Sequence, residues 1–313
     1  MSAVHTLGPA RHACRACGMC CHGHSVGLSG DEPERIRRYA AELGLEDPID
    51  DEGFLRFAEG RCLFLDTDKL CRIHKKWGMG AKPHVCQVYP RRHVSTEAGI
   101  RFAIDPTCGT GWQSFEDGPV EDPAPVDSPT RRPYPPPEVA AERAVIQATA
   151  HPQASVAGLA SLVSGGPPVA TTLPEGFPDR VLTRLREARL GQLFAKPELG
   201  SAVGEALEHL PRWLETGAAP PPWTGRLTPT QEAFTLDVVR RALWLRQAPP
   251  LRPVVLGHTL VLTIGALGCA WADPTPERYG PALAAWTRVS MQRALWLRLF
   301  PDPTLLRWLA TGT

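Results

Sequence analysis

The sequence predicts an α+β protein: a small, loop-rich Cys-cluster metal module with short strands, followed by a mainly α-helical bundle. Three observations carry this expectation. Eight of the nine cysteines lie within the first 108 residues. A stretch at 116–138 holds eight prolines and several acids, and reads as an extended linker. Beyond it the apolar residues recur almost entirely with helical spacing. The 313 residues therefore divide into a cysteine-cluster module at 1–115, a Pro-rich linker at 116–138 and a helical domain at 139–313.

In the first module, Ser29 to Gly44 reads as a helix. Ser29 and Glu32 have the spacing of a capping box, and acids fill the first turn. Ile36, Tyr39, Ala40 and Leu43 share one face, and Gly44 is placed to stop the helix. Phe54 to Ala58 and Arg61 to Leu65 read as short strands around a Glu59-Gly60 turn. A second turn, Asp66-Thr67-Asp68, leads into Leu70 to His74, and Ile100 to Ile104 is a further strand. The apolar content is thin, as in folds whose core is partly a metal site.

The helical domain has candidate helices at 138–150, 154–164, 178–195, 198–215, 229–247, 253–271 and 279–300. The helix at 229 is the best signalled, with Thr228 as N-cap, Pro229 at the first position and Gln231 completing a box. The hexapeptide RALWLR occurs at 241–246 and again at 293–298, which points to similar packing faces more than to a duplication. Trp213, Trp244, Trp271, Trp286, Trp296 and Trp308 read as core and rim residues. Val254 to Ala272 carries no charged residue over 19 positions, long enough to span a bilayer. Its histidine, threonines and glycines, set among amphipathic helices, favour the buried central helix of a bundle.

The cysteines decide the chemistry. Cys14, Cys17, Cys20 and Cys21 read C-x2-C-x2-C-C, and Cys62, Cys71, Cys86 and Cys108 follow at gaps of 8, 14 and 21 residues. Thiols at this density either crosslink or bind metal. A chain of this length needs no disulfide staples. Its first residues hold no apolar signal segment, so a cytoplasmic, reducing location is expected. C-x2-C puts two sulfurs within reach of one tetrahedral ion, and a third cysteine extends the ladder toward iron–sulfur sites. The expected metal ligands are therefore Cys14, Cys17, Cys20, Cys21, Cys62, Cys71, Cys86 and Cys108, holding zinc or an iron–sulfur cluster such as [4Fe–4S]. A thiol-redox role is the third option. His22 and His24 are candidate substitute ligands, although a solvated loop accounts for both. Cys269 sits in the apolar run TIGALGCAWA and reads as a small buried hydrophobe.

Net charge is +1, which argues against a nucleic-acid partner. Only Lys69 to Thr96 is strongly basic, with no Asp or Glu. Its cations either offset the charge of nearby thiolates or form an anion site; in the second case Arg72, Lys75, Arg91 and Arg92 are the cofactor-binding candidates. No C-x3-C-x2-C radical motif, no G-x-G-x-x-G after a strand, no Ser-His-Asp set and no carboxylate pair stands out, so no catalytic residue is assigned.

The segments Cys14-Arg15-Ala16-Cys17-Gly18-Met19-Cys20-Cys21, Gly60-Arg61-Cys62-Leu63-Phe64-Leu65, Leu70-Cys71-Arg72-Ile73-His74, Cys86-Gln87-Val88-Tyr89-Pro90-Arg91 and Asp105-Pro106-Thr107-Cys108 occur in this order. Together they resemble the CxxCxxCC zinc- or iron-chelating domain family, over about residues 14 to 108. The stretch from Cys71 to Arg92 is similar to the flagellin lysine-N-methylase branch. The resemblance implies bound zinc or iron. For that branch it further implies S-adenosylmethionine as cofactor and flagellin as the protein substrate. The alternative is a non-catalytic metal-binding protein with a structural four-cysteine site and a helical docking platform.

Overall fold

The computed structural model describes residues 4–22, 24–96, 98–123, 136–152, 154, 227–245, 262 and 276–290. Apart from residues 154 and 262, the expected helices at 154–164, 178–195, 198–215 and 253–271 lie outside the described residues, as do Cys269 and the second RALWLR copy.

The first module is mixed α and β, as expected. Strand β1 (Val4–Thr6) runs parallel to β5 (Gly99–Ile104), and β5 pairs antiparallel with β4 (Arg91–Thr96), giving the order β1-β5-β4. Arg91 faces Ile104 and Thr96 faces Gly99 across the hairpin. The sequence pattern anticipated β5 alone. β1 is only three residues long, and β4 is rich in Arg and His, so neither carries a periodic apolar signal.

Helix α1 (Glu32–Glu42) is shorter than the 29–44 expected. Asp31 occupies the N-cap, yet the Ser29–Glu32 contact is real: Ser29 N–H and Oγ both donate to Glu32 Oε2, at 2.9 and 3.3 Å. Ile36, Tyr39 and Ala40 are buried on the anticipated face, and Gly44 at φ +65° ends the helix. The expected hairpin shrinks to β2 (Phe57–Ala58) and β3 (Arg61–Cys62), joined through Glu59 and Gly60, both at positive φ. Leu65 bridges to Cys71, and α2 (Arg72–Trp77) follows from Cys71 as N-cap. Another short helix, α3 (His84–Val88), carries Cys86.

These pieces enclose one core of Val26, Ile36, Tyr39, Ala40, Leu55, Cys62, Phe64 and Ile73. Trp77 stacks on Tyr39 with ring centroids 4.2 Å apart. The core has little regular structure around it, because most of its walls are turns.

Beyond Cys108, α4 (Gly111–Ser114) leads into the region of the Pro-rich stretch. Helix α5 (Pro136–Thr149) agrees with the expected 138–150. Helix α6 (Pro229–Trp244) has the predicted box in full: Gln231 N–H donates to Thr228 Oγ1 at 3.2 Å, and Thr228 N–H to Gln231 Oε1 at 2.9 Å. Helix α7 (Pro276–Ser290) begins ahead of the expected 279.

Helices α5 and α6 lie against the sheet, and α7 against α4 and α6. Arg101 on β5 forms a buried ion pair with Glu142 of α5 and sits 4.4 Å over the Trp244 ring of α6. Trp244 Nε1 donates to Phe102 O at 3.2 Å, and Arg241 to Ile104 O at 3.0 Å. Phe234 of α6 packs edge-on to Trp112 and Phe115. A Tyr279–Thr235 hydroxyl hydrogen bond joins α7 to α6. Gly280 lies so close to α4 that a Cβ there would sit 2.5 Å from Trp112 Cβ. Among the described residues no helix is long and apolar enough to cross a membrane.

Candidate metal centre

The N-terminal knuckle is shaped by backbone that only certain residues tolerate. Gly18 adopts φ +73°, and a Cβ there would press against Lys69 at 3.2 Å. The chain then closes a single 3-10 turn, Met19–Cys21, in which Cys21 N–H donates to Gly18 O and His22 N–H to Met19 O. Adjacent side chains on so tight a turn diverge, yet the Cys20 and Cys21 sulfurs lie 3.9 Å apart.

The structure sorts the eight expected ligands by place. Cys62, buried at the end of β3, belongs to the first core, and Cys21, Cys71 and Cys86 pack against the same core. Their charges act on one another: Cys20, Cys62 and Cys71 all bear on Cys21, and Cys20, Cys62 and Cys71 on Cys86. Cys17 and Cys20 act in turn on Cys108, which is buried in the turn after β5 and lies 3.5 Å from Thr110 Oγ1. Cys20, at the surface, is thus common to both groups. Cys14 is exposed on the approach to the knuckle. All eight are free thiols. Among the described residues no three Cys, His, Asp or Glu side chains are already gathered at ion-holding distance.

Electrostatics separate Cys20 from the rest. Its thiol is drawn down to about 6, chiefly by the hydrogen bond from Cys21 and also by the fields of Lys82 and Arg288. Cys21 is correspondingly raised, because its proton is held in that bond. Burial pushes Cys62 up to about 11 and Cys86 up to about 12, with Lys82 opposing in both. Burial also raises Cys108. Bare buried thiols stay protonated, so a cation arriving among them would displace protons as it binds. The donor set fits the metals expected: clustered soft sulfur suits zinc or an iron–sulfur cluster, and Lys82 offsets thiolate charge.

The basic segment is largely occupied. Lys75 reaches Asp66 and Asp68, each at 2.8 Å, and Arg72 lies 3.9 Å from Asp66. Arg91 makes a forked pair with Glu121, and Arg92 pairs with Asp105 at 3.0 Å. An anionic ligand at Arg72, Lys75, Arg91 or Arg92 would have to compete with these carboxylates.

His22 and His24 are not on a solvated loop. Each is only half exposed, and the His24 Nε2 atom is buried with no hydrogen-bond partner. Burial, reinforced by Arg288, lowers His24 to about 4, and its ring meets Tyr89 edge-on at 4.9 Å. Beside it lies a polar network that sequence reasoning missed. Asp105 Oδ1 accepts from Thr107 N–H and Oγ1, and Tyr89 Oη lies 3.4 Å from Thr107 Oγ1. The Asp105-Pro106-Thr107-Cys108 spacing was the available signal: an Asp accepting from the backbone two residues on is a compact turn. Glu32 was read only as part of a helix cap. Its second oxygen also accepts from His84 N–H at 2.6 Å, capping α3 and tying the Cys86 helix to α1.

Comparison with known proteins supports metal chelation for this part of the chain. Residues 13–109 match the family model CxxCxxCC, described as "Putative zinc- or iron-chelating domain". The N-terminal third of the chain is thus similar to the CxxCxxCC family of zinc- or iron-chelating domains. Over 51 residues the chain is 37% identical to a flagellar biosynthetic protein FliU of Salmonella muenchen, covering 16% of this chain and 30% of that protein. The same identity and length relate it to a Lysine-N-methylase of Salmonella typhimurium and one of Salmonella choleraesuis, covering 13% of each. The match therefore spans less than a third of any of these relatives. No solved structure matches the chain.

Proposed function

We propose that the protein holds iron as an iron–sulfur cluster in its first module and acts as a protein lysine N-methyltransferase using S-adenosylmethionine. The observation that carries the metal centre is the convergence of Cys21, Cys62, Cys71 and Cys86 on one core, with Cys20 at its open edge. Four inner sulfurs and one outer, solvent-exposed thiolate suit a centre with a face available to a ligand. The methyl-transfer step rests on similarity to proteins named Lysine-N-methylase and to a flagellar biosynthetic protein. In that reaction the methyl group passes from the sulfonium to a neutral lysine amine, leaving S-adenosylhomocysteine and one proton. Flagellin is the protein substrate proposed.

A second reading is supported by the burial of Cys62 and the core position of its three neighbours. A closed set of four thiolates is the usual form of structural zinc. One preparation separates the two. Anaerobically purified protein that is brown, with iron and acid-labile sulfide, supports the cluster. Colourless protein with stoichiometric zinc overturns it. Calorimetry with S-adenosylmethionine on the metal-loaded protein then tests the enzyme reading, which fails if no binding is seen.

A further inference from the structure

The side chain joining the thiol loops comes from the opposite end of the chain. Arg288, in the last turn of α7, donates through NH1 to Met19 O at 3.2 Å and to His22 O, and through NH2 to Thr107 O at 3.1 Å. Met19 and His22 bracket the Cys20-Cys21 pair. Thr107 immediately precedes Cys108. One planar guanidinium therefore spans both cysteine loops, 266 and 181 residues away in sequence. A guanidinium is suited to this, because its donors project in a fixed fork that a lysine ammonium cannot reproduce.

Three further contacts point the same way. Gly109 lies against the knuckle so closely that a Cβ would sit 2.0 Å from Met19 Sδ, so the two loops already touch. Helix α7 is held near them by the Gly280 approach to Trp112 and by the Tyr279–Thr235 hydrogen bond.

We infer that Arg288 is a positioning residue of the metal centre: it locks the Met19–His22 turn to the Thr107–Cys108 loop, so that Cys20, Cys21 and Cys108 are presented together only while α7 is docked. The last turn of α7 is then a structural part of the centre. This rests on the metal-binding reading, but the clasp itself exists without metal and can be tested without it.

The test uses the full chain with Arg288→Met, which keeps length and packing while removing the fork, and Arg288→Lys, which keeps charge alone. In the metal-free protein, the reactivity of individual thiols toward a disulfide reagent is followed by mass spectrometry. In the loaded protein, zinc or iron release to a chelator is timed. We expect Cys108 and Cys21 to react at least about tenfold faster in Arg288→Met, Cys62 to be unchanged, and metal release to accelerate by a similar factor. Arg288→Lys should resemble Arg288→Met. Unchanged Cys108 and Cys21 reactivity, with helical content retained, overturns the clasp. Full rescue by lysine also overturns it, since charge alone would then suffice. Should Arg288→Met fail to fold, Gly280→Ala, which pushes α7 off Trp112, must expose the same two thiols for the inference to survive. If the wild-type protein takes up no metal while its thiols respond as expected, the metal reading fails and the clasp stands.

Discussion

The two sides of this molecule are held together by different physics. The thiol side is a core walled by turns, two-residue strands and three short helices, with four cysteines among its packing residues. The helix side is a sheet of three strands covered by α5 and α6, fastened by a buried Arg101–Glu142 pair, a cation–π contact and a fully formed capping box. Regular elements satisfy their own backbone and can be stable through packing. A turn-rich core of this size has less of that support; its cysteines are packing atoms of the core, and in the function proposed they would also be the ligands that couple metal binding to folding. Metal should therefore control one side far more than the other.

The strongest test of that contrast is Cys62→Ala. Removing a buried core sulfur that is also a proposed ligand should lower metal affinity at least tenfold, about 1.4 kcal/mol or more. It should also loosen the α1 core while α6 keeps its amide protection. Hydrogen exchange with metal analysis on the same sample checks this, and uniform loss of protection on both sides would erase the distinction.

Glu142→Ala should strike the other side. It strands a buried Arg101, which costs about 3–5 kcal/mol when a buried pair is broken. Denaturant unfolding should report that loss, while metal content of the protein still folded stays stoichiometric. Loss of metal in step with the α5–sheet contact would mean that the sides are a single cooperative unit.

Glu32→Ala sharpens the thiol side. The carboxylate caps α3 and accepts from Ser29, so its loss should cost roughly 1–3 kcal/mol. Cys86 should become more accessible to alkylation, with Cys108 unaffected. Equal acceleration at both thiols would contradict the local role assigned to this residue.

The smallest expected effect is Thr228→Ala, which removes half of the α6 box. About 1 kcal/mol of stability should be lost, with thiol reactivity and metal content unchanged. A thermal melt with chelator competition decides this; any change in metal release would show that α6 already couples to the thiols.

Much of the local structure was legible because it depends on neighbours in sequence. The α6 box, the buried face of α1 and the Glu59-Gly60 turn follow from residues three or four apart, and all three are present. Element lengths were less legible. The hairpin was expected over five residues on each strand and pairs over two: Leu63 N–H still donates to Arg56 O in the same register, but Phe64 O then accepts from Arg72 N–H and the chain leaves the ladder. β4 was invisible because it is an edge strand opening on Arg91 and Arg92, whose partners Glu121 and Asp105 lie 30 and 13 positions away.

By itself the sequence determined the kind of donor. Eight thiols in C-x2-C-x2-C-C and later spacings mean soft-metal chemistry whatever the fold, because ligand preference is a property of sulfur. Only the tertiary structure decided which thiols share a core. Cys62, Cys71 and Cys86 are separated by turns whose directions no local pattern encodes, yet they arrive at one core with Cys21. It also decided that the basic segment is mostly neutralised and that Arg288 spans the knuckle and the Cys108 loop. Such contacts depend on chain closure over tens to hundreds of residues, and the free energy that selects them comes from packing the whole molecule.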